Sequence, residues 1–198
     1  MKPTLAQSAA RGLIWSIGGQ GAIVVTQTIT IAVLARIISP KDFGLVAMVM
    51  AMVNVGEVLR DFGLTSAAIQ APTLSRDERS NLFWVNLLIG STLALLFWIS
   101  AGAIADFYSN PQLASVTRVL ALTFLINGIA TQPRANLIRD LRSKHLAIAD
   151  VAGVIVGMAA GIAIALMDYG YWAIVGMQLS RLGVMTLLAI AFSRFVPS

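Results

Sequence analysis

The chain has 198 residues, of which 58% are apolar and only 12% charged, with a net charge of +5. Soluble domains carry roughly 25% charged residues, and a folded chain of this size has too much surface for so few charges. Soluble, disordered and collagen-like classes are therefore excluded, and an all-α, polytopic membrane helix bundle remains.

A spanning helix needs about 20 apolar residues, so the length accommodates about six spans with their connections. The chain has no cysteine, and His145 is its single histidine. That removes disulfide frameworks, thiolate chemistry and a multi-histidine metal site. No cofactor is expected.

The first span is expected over 12–38. Its apolar run is too long for a signal peptide core. Ser39-Pro40 ends it, because proline cannot continue the hydrogen-bond ladder and restricts the residue before it. The second span is expected over 43–62, with Gly63 as its C-terminal stop. A polar connection containing Pro72, Arg76, Asp77, Glu78 and Arg79 leads to a third span over 82–105. Trp84 and Trp98 stand near its two ends, where aromatic residues suit the membrane interfaces.

Asp106, Ser109, Asn110 and Pro111 read as a turn. A fourth span is expected over 113–131, stopping before Pro133. The segment that follows is the most basic of the chain, with Arg134, Arg139, Arg142, Lys144 and His145. A fifth span over 146–167, a tight turn at Asp168-Tyr169-Gly170 and a sixth span over 171–192 complete the reading, as a single membrane domain over 1–198.

With the N-terminus in the cytoplasm, ten of the fourteen basic residues fall on the inner side. Positive residues concentrate in cytoplasmic loops, so both termini are expected inside. The net charge then reports orientation and contact with anionic lipid headgroups, and no nucleic-acid partner is expected.

Charges inside spans usually face a bundle interior or a wet cavity. Arg181 lies ten residues past Tyr171, about 15 Å deep at 1.5 Å per residue. Glu57 sits at a compatible depth, and the two are within reach of each other. Arg181 has two readings: a cation that pairs with a carboxylate to fix helix packing, or one that lines a path for an anionic substrate. Arg118 lies near the end of its span, where it snorkels outward or touches an anion. Asp150, a turn from the inner end of its span, reads as interfacial, near Lys144 or Arg142.

Ser16, Gln20, Gln27 and Thr30 share one helical face at spacings of 4, 7 and 3, and Asn54, Glu57 and Asp61 repeat the pattern on the second span. Lipid does not accept such stripes, so both faces point inward, lining a hydrated cavity or bonding between helices. Gly153, Gly157 and Gly161, then Ala165, form a small-residue face for tight helix packing, with a partner in this chain or another. Catalytic constellations are missing: there is no nucleophile elbow and no phosphate-binding loop.

Several stretches resemble one family. They are Leu34-Ala35-Arg36-Ile37-Ile38-Ser39-Pro40-Lys41-Asp42-Phe43-Gly44-Leu45-Val46-Ala47; Asp61-Phe62-Gly63-Leu64 followed by Ala67-Ala68-Ile69-Gln70; Phe83-Trp84-Val85-Asn86; and Gly170-Tyr171-Trp172-Ala173. In order and spacing they are similar to the polysaccharide transporter branch of the multidrug/oligosaccharidyl-lipid/polysaccharide (MOP) flippase superfamily, the Wzx type.

The resemblance implies one six-helix lobe of a 12–14-span transporter, matching the N-terminal half. It implies that undecaprenyl-diphosphate-linked oligosaccharide moves across the bacterial inner membrane by alternating access. Cavity cations would neutralise the diphosphate while polar faces bond the glycan. On this reading Arg181, Glu57, Gln20, Gln27, Asn54 and Arg118 are the candidate cavity residues. The implied partners are the lipid-linked oligosaccharide, membrane lipids, and a second lobe or a homodimer copy, the chain being expected to be a fragment, a split half or a dimerising unit. Rival readings are a multidrug-type exporter lobe and a non-transporting scaffold of a polysaccharide assembly complex.

Overall fold

The computed structural model describes residues 5–61 and 76–194. Gly63, Pro72 and the second half of the Asp61–Gln70 resemblance fall outside them, as does the side chain of Ser16. Among the described residues the chain is helical throughout, in the order α1 (Leu5–Ile37), α2 (Pro40–Asp61), α3 (Arg76–Phe107), α4 (Gln112–Leu120), α5 (Leu122–Arg139), α6 (Ser143–Leu166) and α7 (Trp172–Ser193).

Among the described residues five segments are long and apolar enough to cross a membrane: Ile17–Ile37, Asp77–Phe107, Gln112–Arg139, Ser143–Leu166 and Trp172–Ser193. The protein is thus an all-α, multi-pass membrane protein. The expected second span coincides with α2, which at 22 residues is about 33 Å long.

The α1–α2 corner is built by Ser39. Its Oγ accepts the Asp42 backbone N–H at 3.2 Å and donates to Asp42 Oδ2 at 2.9 Å, with Pro40 in the first helical position, where its missing N–H costs nothing. Ser39→Ala is expected to cost about 1 kcal/mol, read as a lower unfolding midpoint in detergent. The α6–α7 turn lies against this corner. Asp168 and Gly170 take left-handed φ values of 60° and 53°, and a Cβ at Gly170 would stand 3.1 Å from Asp42 Oδ2. At the opposite end, Arg142 Nη1 donates to the Phe192 carbonyl at 2.7 Å. The His145 ring meets Phe192 edge-on at 5.1 Å.

The fourth span differs from expectation at both ends. It breaks at Ala121 into α4 and α5, and it runs through Pro133 to Arg139 instead of stopping. A membrane helix tolerates a proline when packing holds the freed backbone in place, and Pro133 is buried among its neighbours.

Packing centres on two apolar clusters. One joins α2, α3, α4, α5 and α7 around Leu45, Val49, Val116, Phe124 and Val175. Phe124 stacks on Phe97 at 4.7 Å, and a Cβ at Gly56 would come within 2.6 Å of the Phe124 ring. The second cluster joins Leu34 of α1 and Ile38 just past its end to Ala165 and Ala173 at the α6–α7 turn. The glycine face of α6 finds its partner within the chain: Gly153, Gly157 and Gly161 are buried against Met177, Arg181 and Met185 of α7.

Candidate functional site

From their shared corner α1 and α2 take different partners. α1 packs along α6, whereas α2 packs on α4, α3 and α7. The two hardly touch each other. Ile174 of α7 marks the apex, because it packs against both apolar clusters. Phe43 of α2 joins Leu34 of α1 and Ile38 there.

Faces continued from this apex become polar. On α1, Gln27 and Gln20 follow Leu34 at intervals of seven residues, keeping within about 20° per step of the same face. On α2, Asn54 follows Phe43 by eleven residues, three helical turns to within about 20°. On α7, Gln178 and Arg181 continue the Ile174 face at spacings of four and three. Gln27 and Arg181 each lie seven residues from the apex, about 10 Å along their helices. Gln27, Gln178 and Arg181 are half-buried, and Gln20 and Asn54 are exposed. These five residues are candidates to line a cleft whose apolar end lies at Ile174. Thr30, expected on the same stripe, is instead buried and bonded to the Thr26 carbonyl at 2.6 Å.

Arg181 stands where the cleft face of α7 meets the α6 interface. Its Cβ closes on Gly157, where an added Cβ would lie 2.9 Å away. Its buried Nε has no hydrogen-bond partner among the described residues. The charges acting on it are Asp150 of α6 and Arg134 of α5. Those two form a bidentate pair, Arg134 Nη1 to Asp150 Oδ1 at 2.6 Å and Nη2 to Oδ2 at 3.2 Å. One carboxylate on α6 therefore serves two guanidiniums, Arg134 of α5 by direct contact and Arg181 of α7 through space.

Several expected pairings resolve differently. Glu57 does not pair with Arg181. Its Oε1 accepts from Asn127 Nδ2 of α5 at 2.8 Å, and its Oε2 meets Arg60 Nη1 at 3.2 Å. The presence of Gly56, which lets α2 close on Phe124, turns the next residue toward α5. Asp150 takes Arg134 rather than Lys144 or Arg142. Arg118 is exposed and lies over the Trp98 ring at 5.4 Å, on the outward side of α3 and α4, away from the cleft. Gln178, Asn127 and Arg134 were not singled out from the sequence. For Gln178 the signal was there, three residues before Arg181 on one face.

Comparison with known proteins follows the same direction. Residues 33–198 match the family described as "Polysaccharide biosynthesis protein". The lipopolysaccharide biosynthesis protein WzxC of Escherichia coli is 27% identical over 78% of this chain and 31% of its own length. The succinoglycan biosynthesis transport protein ExoT of Rhizobium meliloti is 26% identical over 100% of this chain and 40% of its own length. The teichuronic acid biosynthesis protein TuaB of Bacillus subtilis is 27% identical over 84% and 35%. The chain thus spans less than half the length of the curated relatives it matches. No solved structure matches it. With the match running over most of its length, the chain belongs to the polysaccharide biosynthesis protein family.

Proposed function

We propose that the chain forms one lobe of a flippase that moves an undecaprenyl-diphosphate-linked oligosaccharide across the bacterial inner membrane, with both termini cytoplasmic. It acts as a transporter component and not as an enzyme. The observation that carries this reading is the polar floor of the cleft. Gln178 and Arg181 run down from an apolar apex between two helices that hardly touch, with Gln27 half-buried and Gln20 and Asn54 exposed. A lipid-facing surface would not hold these groups.

In this mechanism Arg181 offers charge-assisted hydrogen bonds to a phosphate, stronger than neutral ones. Its neighbour Asp150 holds the guanidinium in place without fully compensating it, since Asp150 is shared with Arg134. The amides bond glycan hydroxyls, and the hydrocarbon tail remains in the bilayer. A second lobe, from another chain or another copy, supplies the surface against which this one rocks.

Arg181→Ala is expected to lower glycan export tenfold or more, in a strain that depends on this protein, at unchanged membrane abundance. Arg181→Lys is expected to retain part of the export. Undiminished export by the alanine variant removes Arg181 from the path. Changed drug susceptibility with unchanged glycan export would instead support a multidrug-type exporter.

A further inference from the structure

A second concavity lies away from the cleft, between α1 and α6. It holds about 530 Å³ and is lined by Gly18, Gly19 and Ala22 of α1 and by Ala147, Ile148, Val151, Ala152 and Ile155 of α6. That volume falls within the roughly 300–1,000 Å³ that ligand sites occupy. Its lining is almost wholly apolar. Beside the groove the helices come close at Gly19, where an added Cβ would sit 3.1 Å from Ala147 Cβ. At Gly18 nothing lies within 4 Å of an added Cβ, so among the described residues no side chain fills the space.

The position of charge identifies the occupant. On α6 the residues Lys144, Ile148, Val151 and Ile155 follow one another at spacings of four, three and four, one face of one helix. Lys144 is exposed and lies one helical turn before Ile148, a lining residue of the groove on the same face. His145 adjoins it, and Arg142 is held nearby by the Phe192 carbonyl. From Lys144 to Ile155 the face runs about 16 Å, half of a hydrocarbon core about 30 Å thick. An apolar trough one leaflet long, with a cation at its interfacial end, is complementary to a hydrocarbon chain carrying an anionic head.

We propose that this groove is a binding site for an anionic phospholipid of the surrounding bilayer. One acyl chain lies along Gly18, Ala22, Val151 and Ile155, and the phosphate meets Lys144. A lipid bound here contributes to the α1–α6 contact and leaves the α1–α2 cleft free for the transported molecule. A diphosphate-linked polyprenol carries the same chemistry, a hydrocarbon chain with an anionic head, and the experiment separates the two sources.

The test uses the full chain in nanodiscs containing either phosphatidylglycerol or phosphatidylcholine, each with a diazirine on one acyl chain. After illumination, cross-links are mapped on peptides covering α1 and α6. The proposal expects at least fivefold more labelling of residues 147–155 by phosphatidylglycerol. It expects Lys144→Gln to bring the two lipids level. Gly18→Leu, whose side chain enters open space, should cut labelling fivefold while the unfolding midpoint holds. Ala22→Phe serves as a second filling variant if Gly18→Leu does not fold. Equal labelling by both lipids overturns the proposal, as does labelling unaffected by the filling variants. Displacement of the label by equimolar undecaprenyl diphosphate also overturns it, because the groove would then belong to the transported carrier.

Discussion

Gly157→Leu is expected to separate α6 from α7 and leave little folded protein. An added Cβ at this position would lie 2.8 Å from the Met177 carbonyl oxygen and 3.4 Å from Arg181 Cα. Both are backbone atoms, which cannot rotate aside as a side-chain tip can. Extra methylenes in a tight core cost about 1–3 kcal/mol when they force such shifts, and leucine adds four carbons where the two helix backbones meet. Because Arg181 lies on this seam, any surviving protein should also lose the placement of that guanidinium. The check is the unfolding midpoint of the purified chain in detergent. Gly18→Ala is the matched control: it meets nothing within 4 Å, and removing a mid-helix glycine stabilises by about 1 kcal/mol. A Gly157→Leu midpoint within a degree or two of the parent would mean that the α6–α7 contact is looser than described.

Asp150→Asn is the second large effect. The substitution removes the carboxylate that two arginines share, Arg134 by direct bidentate contact and Arg181 through space. Breaking a buried ion pair from one side costs about 3–5 kcal/mol. Here the Arg134 side chain keeps 27% of its surface and Asp150 16%, so solvent screening reduces the cost to about 1–3 kcal/mol. Arg134→Gln combined with Asp150→Asn should recover part of the loss, because no guanidinium is then stranded at that contact. A double-mutant cycle measures the coupling. Additive single effects would show that the pair contributes nothing beyond its parts.

The class of the molecule was legible in the composition, and most helix positions in the runs between turn residues. Ser39-Pro40 and Asp168-Tyr169-Gly170 are local signals, and both act where they stand because capping and left-handed φ are decided within a few residues. Pro133 misled, since whether a proline ends a helix depends on the packing around it, and Pro133 is buried. The polar positions Gln20, Gln27, Asn54 and Arg181 could be read from helical spacing. Their partners could not. Depth along a helix allowed a Glu57–Arg181 pair, but it says nothing about rotation, and Gly56 against Phe124 directs Glu57 to Asn127. Likewise the glycine face of α6 announced a close neighbour, and only the fold names α7 as that neighbour.

The proposed flippase lobe requires a water-filled cleft between α1 and α2 with α7 as its floor. The chain has no cysteine, so single cysteines report without background. Gln27→Cys, Asn54→Cys and Gln178→Cys, in the full chain in native membranes, should react with a membrane-impermeant maleimide. Leu95→Cys and Ile99→Cys, at exposed positions on α3, should stay unlabelled within lipid. If Gln178→Cys and Gln27→Cys prove as unreactive as Leu95→Cys, the cleft is dry and the chain is a scaffold rather than a transporter lobe.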